Sequence, residues 1–158
     1  MSTPRDVLLE QMDEAMRRFM ARAVLYQDAV AKSVGMNATD LQCANLLLLH
    51  GPMTAGELAE RAGLTAGGAI TGVIDRLERS GLVHRERDPA DRRRVVITAD
   101  AALVWQRLGP AYERIGRRWS QYLATLDDQQ IAFATEVLTT AAELNRDETS
   151  RLRAGEPD

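Results

Sequence analysis

The sequence predicts a mainly α-helical fold carrying one small β-hairpin, with a central helix-turn-helix flanked by longer helices at both ends. Three observations lead there. Apolar residues recur at steps of three and four through most of the 158 residues, the period of an amphipathic helix. Two short helical stretches meet around Gly63. Beyond them, two β-prone runs are joined by a loop containing Pro89 and two aspartates. Alanine and leucine are abundant and aromatic residues make up only 4%, so the core must be aliphatic and helix-favouring.

Taken in order, the first helix runs from Asp6 to about Ala31, with Leu8, Met12, Met16, Phe19, Ala23, Tyr26 and Val30 on one face. Gly35 and Asn37 break it. Thr39 followed by Gln42 has the form of a capping box, which opens a second helix to about His50. Gly51-Pro52 stops that helix. Thr54 and Glu57 form another capping pair and start a short helix through Ala62. Gly63-Leu64 then makes a tight turn, and Thr65 is placed to cap a fourth helix ending near Ser80-Gly81. Leu82 to Arg87 and Val95 to Thr98 read as strands of a hairpin around 88–94. Helical spacing resumes at Ala99, where Gly109-Pro110 is expected to kink a long helix rather than end it. Asp127 or Asp128 caps the last helix, which carries Ile131, Ala134 and Leu144. One domain over 1–158 is expected, with a central module at 36–100 and helical segments at 6–32 and 101–152.

The bulk composition excludes several classes of function. Hydrophobic residues are 45% and charged residues 27%, values of a globular rather than a disordered chain. The longest aliphatic run, Leu46 to Leu49, is far short of a membrane span. No signal-peptide core is present, and a single cysteine cannot form an intrachain disulfide, so a cytoplasmic location is expected. One Cys and two His supply too few ligands for a metal site, and nothing calls for a cofactor. His50 and His84 are far apart, and no HExxH, GxSxG or phosphate-loop pattern occurs. An enzyme is therefore not expected.

The charge distribution is more informative than its total. The net charge is −3, yet residues 76–94 hold seven arginines against four acids. Basic charge gathered in one segment of an acidic chain can face phosphate. In the fourth helix Ile70, Val73, Ile74 and Leu77 make one buried stripe at i, i+3, i+4 and i+7. Gly68, Gly72, Asp75 and Arg79 fall opposite that stripe, with Ala69, Thr71 and Arg76 on its flanks. Two glycines on an outer helix face cost about 1 kcal/mol each relative to Ala. A face needing only solubility would not carry them; a face that must approach a DNA groove would. The hairpin loop offers Arg92, Arg93 and Arg94 beside Asp88 and Asp91. An arginine on a thin ribbon suits the minor groove, and a neighbouring carboxylate can orient it.

With its flanking helices, the stretch 54–98 resembles the winged helix-turn-helix of the MarR (multiple antibiotic resistance regulator) family. ELAERAGLT at 57–65, AITGVIDRLERSGLV at 69–83 and, above all, DPADRRRVVIT at 88–98 carry the resemblance. It implies an obligate homodimer held by the terminal helices, a pseudo-palindromic operator, and transcriptional control, usually repression, relieved by a small molecule. Double-stranded DNA and a second copy of the chain are then the expected partners. By that resemblance Thr65, Gly68, Ala69, Thr71, Gly72 and Arg76 face the major groove. Asp91 and Arg93 form the wing pair, and Arg92 and Arg94 lie near phosphate. The effector pocket would sit between helical base and winged lobe, where Met, Leu and Trp suit an aromatic or apolar ligand; its residues are not assigned. Oxidant sensors of the family carry a reactive cysteine in the first helix. Cys43 lies in the second, among leucines, and reads as a packing residue. The alternative is a winged module that binds protein instead of DNA, for which three consecutive arginines have no use.

Overall fold

The computed structural model describes residues 3–64 and 67–155. They form α1 (Pro4–Ser33), α2 (Ala38–His50), α3 (Ala55–Ala62), α4 (Gly68–Arg79), β1 (Val83–Arg87), β2 (Val95–Ala99), α5 (Ala101–Leu123) and α6 (Asp128–Ala154). Every element expected from the spacing is present. The chain divides into two compact units, 1–112 and 113–158.

The helix starts follow local capping chemistry. α1 begins at Pro4 rather than Asp6, because Thr3 and Asp6 close a capping box and proline occupies the first turn. α2 is capped by Asn37, whose Oδ1 accepts from the Asp40 amide at 2.8 Å. The Thr39–Gln42 pair does not serve: asparagine two positions earlier captures the free amide first, and helix is already established at Ala38. Thr54 and Glu57 cap α3 reciprocally, as expected. Gly63 ends α3 at φ 71°, ψ 28°, a left-handed cap that glycine adopts without strain, and the Leu64 amide returns to the Ala59 carbonyl. Asp127, not Asp128, caps α6 through Gln130. Pro110 lies inside an unbroken α5.

In the first unit one core joins α1, α2, α3, α4, the hairpin and the start of α5. Leu41, Ala44 and Leu47 of α2 meet Leu58 of α3 and the Ile70, Val73, Ile74, Leu77 stripe of α4. Val30, Val83, Ile97, Val104 and Leu108 complete it. β1 and β2 pair antiparallel from Val83↔Ala99 to Arg87↔Val95, and Met53 adds a single bridge to Ile97. Tyr26 donates to the Ala111 carbonyl at 3.0 Å and stands edge-on to Tyr112. Cys43 is fully buried, and that burial pushes its thiol pKa up to about 11, the opposite of what a redox sensor needs.

The terminal helices are different. Leu8, Leu9, Met12 and Phe19 of α1 are exposed. In the second unit α6 buries none of its described residues, and Phe133, Leu138, Leu144 and Leu152 are open. No helix among the described residues is long and apolar enough to cross a membrane.

Candidate nucleic-acid interface

The start of α4 is open. Its N-cap is Gly67, at φ 128° and without a side-chain hydrogen bond, and its first turn holds no acid. An added Cβ at Gly68 would meet nothing within 4 Å. Ala69 and Thr71 are exposed, and the Thr71 hydroxyl donates back to the Gly67 carbonyl at 3.0 Å. The helix therefore presents amide groups behind a thin layer of small side chains, an arrangement that favours an approaching anion. Thr65 lies outside the described residues.

Gly72 and Arg76, both expected from the resemblance to face the major groove, are coupled to each other, and Arg76 is engaged within the protein. The Arg76 side chain runs over Gly72, where an added Cβ would be 3.4 Å from Nη1. Its Nε and Nη2 donate to the two oxygens of Asp40 at 3.0 and 2.7 Å. Asp75, opposite the buried stripe, accepts from Arg85 of β1 at 2.6 Å, and Arg85 also engages Glu78. That contact lashes the hairpin to α4, and Asp75 is the main cause of the raised Arg85 pKa.

The hairpin loop is built on its aspartates. Asp88 accepts from the Ala90 amide at 2.8 Å and Asp91 from the Arg93 amide at 3.1 Å, two side-chain turns that fold 88–94 tightly. Asp91 also receives the Arg93 Nε at 3.3 Å, while the Arg93 side chain remains 92% exposed. The expected wing pair is thus formed at the tip. Arg92 is exposed, and its carbonyl accepts from Arg87 at 2.7 Å. Arg94 turns the other way and donates to Glu57 at 2.9 Å. Glu57 already closes the α3 capping box, and the Thr54 amide, chiefly, holds its carboxyl below the usual carboxylate range. One carboxylate thereby fixes both the start of α3 and the root of the loop.

The structure so gathers Gly68, Ala69 and Thr71 at one open helix start, and Asp91, Arg92 and Arg93 at one loop tip. Arg76 and Arg94 are engaged within the protein. Asp40 escaped the sequence reading, and so did the pairing of Asp75 and Glu78 with Arg85. That it is the one acid of α2, in the first turn, was the one available signal for Asp40.

Residues 36–95 match the model of the MarR family. Along most of its length the chain is similar to the HTH-type transcriptional regulator YcgE of Bacillus subtilis, 38% identical over 140 residues, 87% of this chain and 88% of that one. The chain belongs to the MarR family. A second Bacillus subtilis HTH-type regulator, YkoM, is 33% identical over 92 residues, covering 54% of this chain and 59% of its own. The MarR-family fold is matched by a MarR family protein of Bacillus stearothermophilus, with a TM-score of 0.65 at 21% identity over 94% of this chain and 99% of that one. Transcriptional regulator Tm0710 of Thermotoga maritima has a TM-score of 0.59 at 21% identity over 89% and 98%. These likenesses establish a winged-helix transcriptional regulator of the MarR family.

Proposed function

We propose that this MarR-family regulator binds a pseudo-palindromic operator as a homodimer, represses transcription from it, and is released by a small apolar or aromatic effector. The observation that carries the DNA-binding part is the pairing of an uncapped, small-faced α4 start with a solvent-projected Arg93 oriented by Asp91. The helix start would enter the major groove and Arg93 the adjacent minor groove. In this assignment Gly68, Ala69 and Thr71 line the groove face, and Thr65, just before them in the sequence, is assigned to the same face by the family resemblance. Arg92 lies close to phosphate.

The exposed apolar residues of α1 and α6 favour a dimer, since patches of this kind ordinarily mark an interface. The segments 6–32 and 101–152 would then be the dimerisation region around the 36–100 module. A two-fold axis would place two α4 helices about one DNA turn, roughly 34 Å, apart. For the effector, α1 and α2 enclose an open hollow of about 700 Å³ lined by Val24, Leu25, Ala38, Leu46 and Leu49 with Gln42. That volume and apolar lining suit a small hydrophobic molecule.

Selection from a randomised duplex pool tests the reading. The wild-type protein should enrich an inverted repeat with half-sites about one turn apart. Arg93→Ala should melt like the wild type yet bind the selected duplex about tenfold more weakly. No enrichment, or an unaffected Arg93→Ala variant, counts against it.

A further inference from the structure

Asp40 is the single charged side chain buried among the described residues, at 5% exposure. It stands in the first turn of α2, its amide already held by Asn37. Both carboxylate oxygens are taken by Arg76, 36 residues along the chain on α4, in a fork of 2.7 and 3.0 Å. A buried carboxylate that loses its partner is strongly penalised, so the pair resists separation. Its planar two-point geometry also restricts orientation, which a single hydrogen bond would not. α2 itself is anchored by Leu41, Ala44 and Leu47 in the core. The guanidinium passes over Gly72, where the absence of a side chain leaves its path clear.

An arginine that reads guanine does so with a fork of donors. In Arg76 the Nε and Nη2 edge of the guanidinium is held by Asp40, which fixes its plane and leaves Nη1 and the second Nη2 hydrogen outside the pair. Swinging the side chain away would strand the carboxylate in the core. We propose that Asp40 and Arg76 form a strut that sets the rotation of α4 about its axis, which makes Arg76 a positioning residue for the groove face. This rests on the DNA-binding reading above.

The test uses the full chain and the duplex that the wild-type protein selects from a random pool. Asp40→Asn keeps the shape of the carboxylate and removes its charge, at a position that never faces DNA. With a strut, Asp40→Asn and Arg76→Ala each weaken binding by about tenfold, the double variant is no worse than either alone, and the salt slope is unchanged. In the free wild-type protein the Arg76 Nε–H resonance is sharp and slow to exchange, and it broadens in Asp40→Asn. Should Asp40→Asn fail to fold, Arg76→Lys carries the same test, because lysine keeps the charge without the fork. Wild-type affinity in a folded Asp40→Asn or Arg76→Lys variant overturns the strut. So does a salt slope that falls by about one in Arg76→Ala, the mark of a direct phosphate contact. A wild-type protein that binds no duplex removes the DNA-binding reading itself; a binding wild type with an indifferent Asp40→Asn removes the strut alone.

Discussion

Arg93 and Arg94 are chain neighbours with opposite fates, and the difference is set by which carboxylate each can reach. Arg93 stays beside Asp91, two residues away, and projects into solvent. Arg94 reaches Glu57, 37 residues away, and ties the loop to α3. The local pair was expected from the family resemblance, and a two-residue spacing lets a turn bring the groups together. The distant pairs, Arg94–Glu57 and Arg76–Asp40, depend on helix packing that no short spacing encodes. Cys43 illustrates the reverse case: its leucine-rich surroundings alone predicted burial. Its thiol pKa, raised by burial to about 11 from an ordinary value of 9.0, has a consequence for stability. The folded chain holds the proton more tightly than the unfolded one. The buried thiol therefore costs nothing below about pH 9 and lowers stability as pH rises from there toward 11, by about 2 to 3 kcal/mol in all. Urea midpoints measured at pH 8 and pH 10 should drop more for the wild type than for Cys43→Ala. Equal drops would mean that Cys43 ionises as freely in the folded chain as in the unfolded one.

Among the elements, α4 combines two demands that conflict in an ordinary helix. Ile70, Val73, Ile74 and Leu77 fasten one face to the core, and that stripe was plain from its spacing. The opposite face gives up helix stability at Gly72, whereas Gly68 stands at the first position of the helix. A methyl group at position 72 would lie at van der Waals distance from Arg76, without a clash. Gly72→Ala should therefore raise the unfolding free energy, by about 0.5 to 1 kcal/mol, as in any helix interior. If the face serves DNA, the same variant should bind the selected duplex more weakly. A variant both more stable and equally tight in binding would show that the groove face does not need this glycine. The α2 start was misread because Thr39–Gln42 has the form of a capping box while Asn37, two positions earlier, does the capping. Sequence patterns rank both as caps, and only the backbone path chooses between them. The start of α3 offered no such rival, and Thr54–Glu57 was read correctly.

On the scale of the whole molecule, an acidic chain of net charge −3 places seven of its nineteen arginines between 76 and 94. The folded chain then divides them. Arg76, Arg85 and Arg94 are spent on internal carboxylates, while Arg92 and Arg93 stay at the loop tip. The sequence could count that charge but not apportion it. The terminal helices were likewise recognised as amphipathic, and in the single chain Leu8, Met12 and Phe19 of α1 and Phe133, Leu138 and Leu144 of α6 stay exposed. As proposed above, a second copy of the chain covers those faces, and the loop-tip arginines Arg92 and Arg93 meet DNA phosphate and groove. Titration of the selected duplex by fluorescence anisotropy, at salt concentrations from about 50 to 200 mM, tests both at once. Saturation should come at two protomers per duplex, and the logarithm of the affinity should fall with the logarithm of salt at a slope of about −2 to −4, as two loop-tip arginines from each protomer require. An affinity indifferent to salt, or saturation by one protomer, would contradict the account.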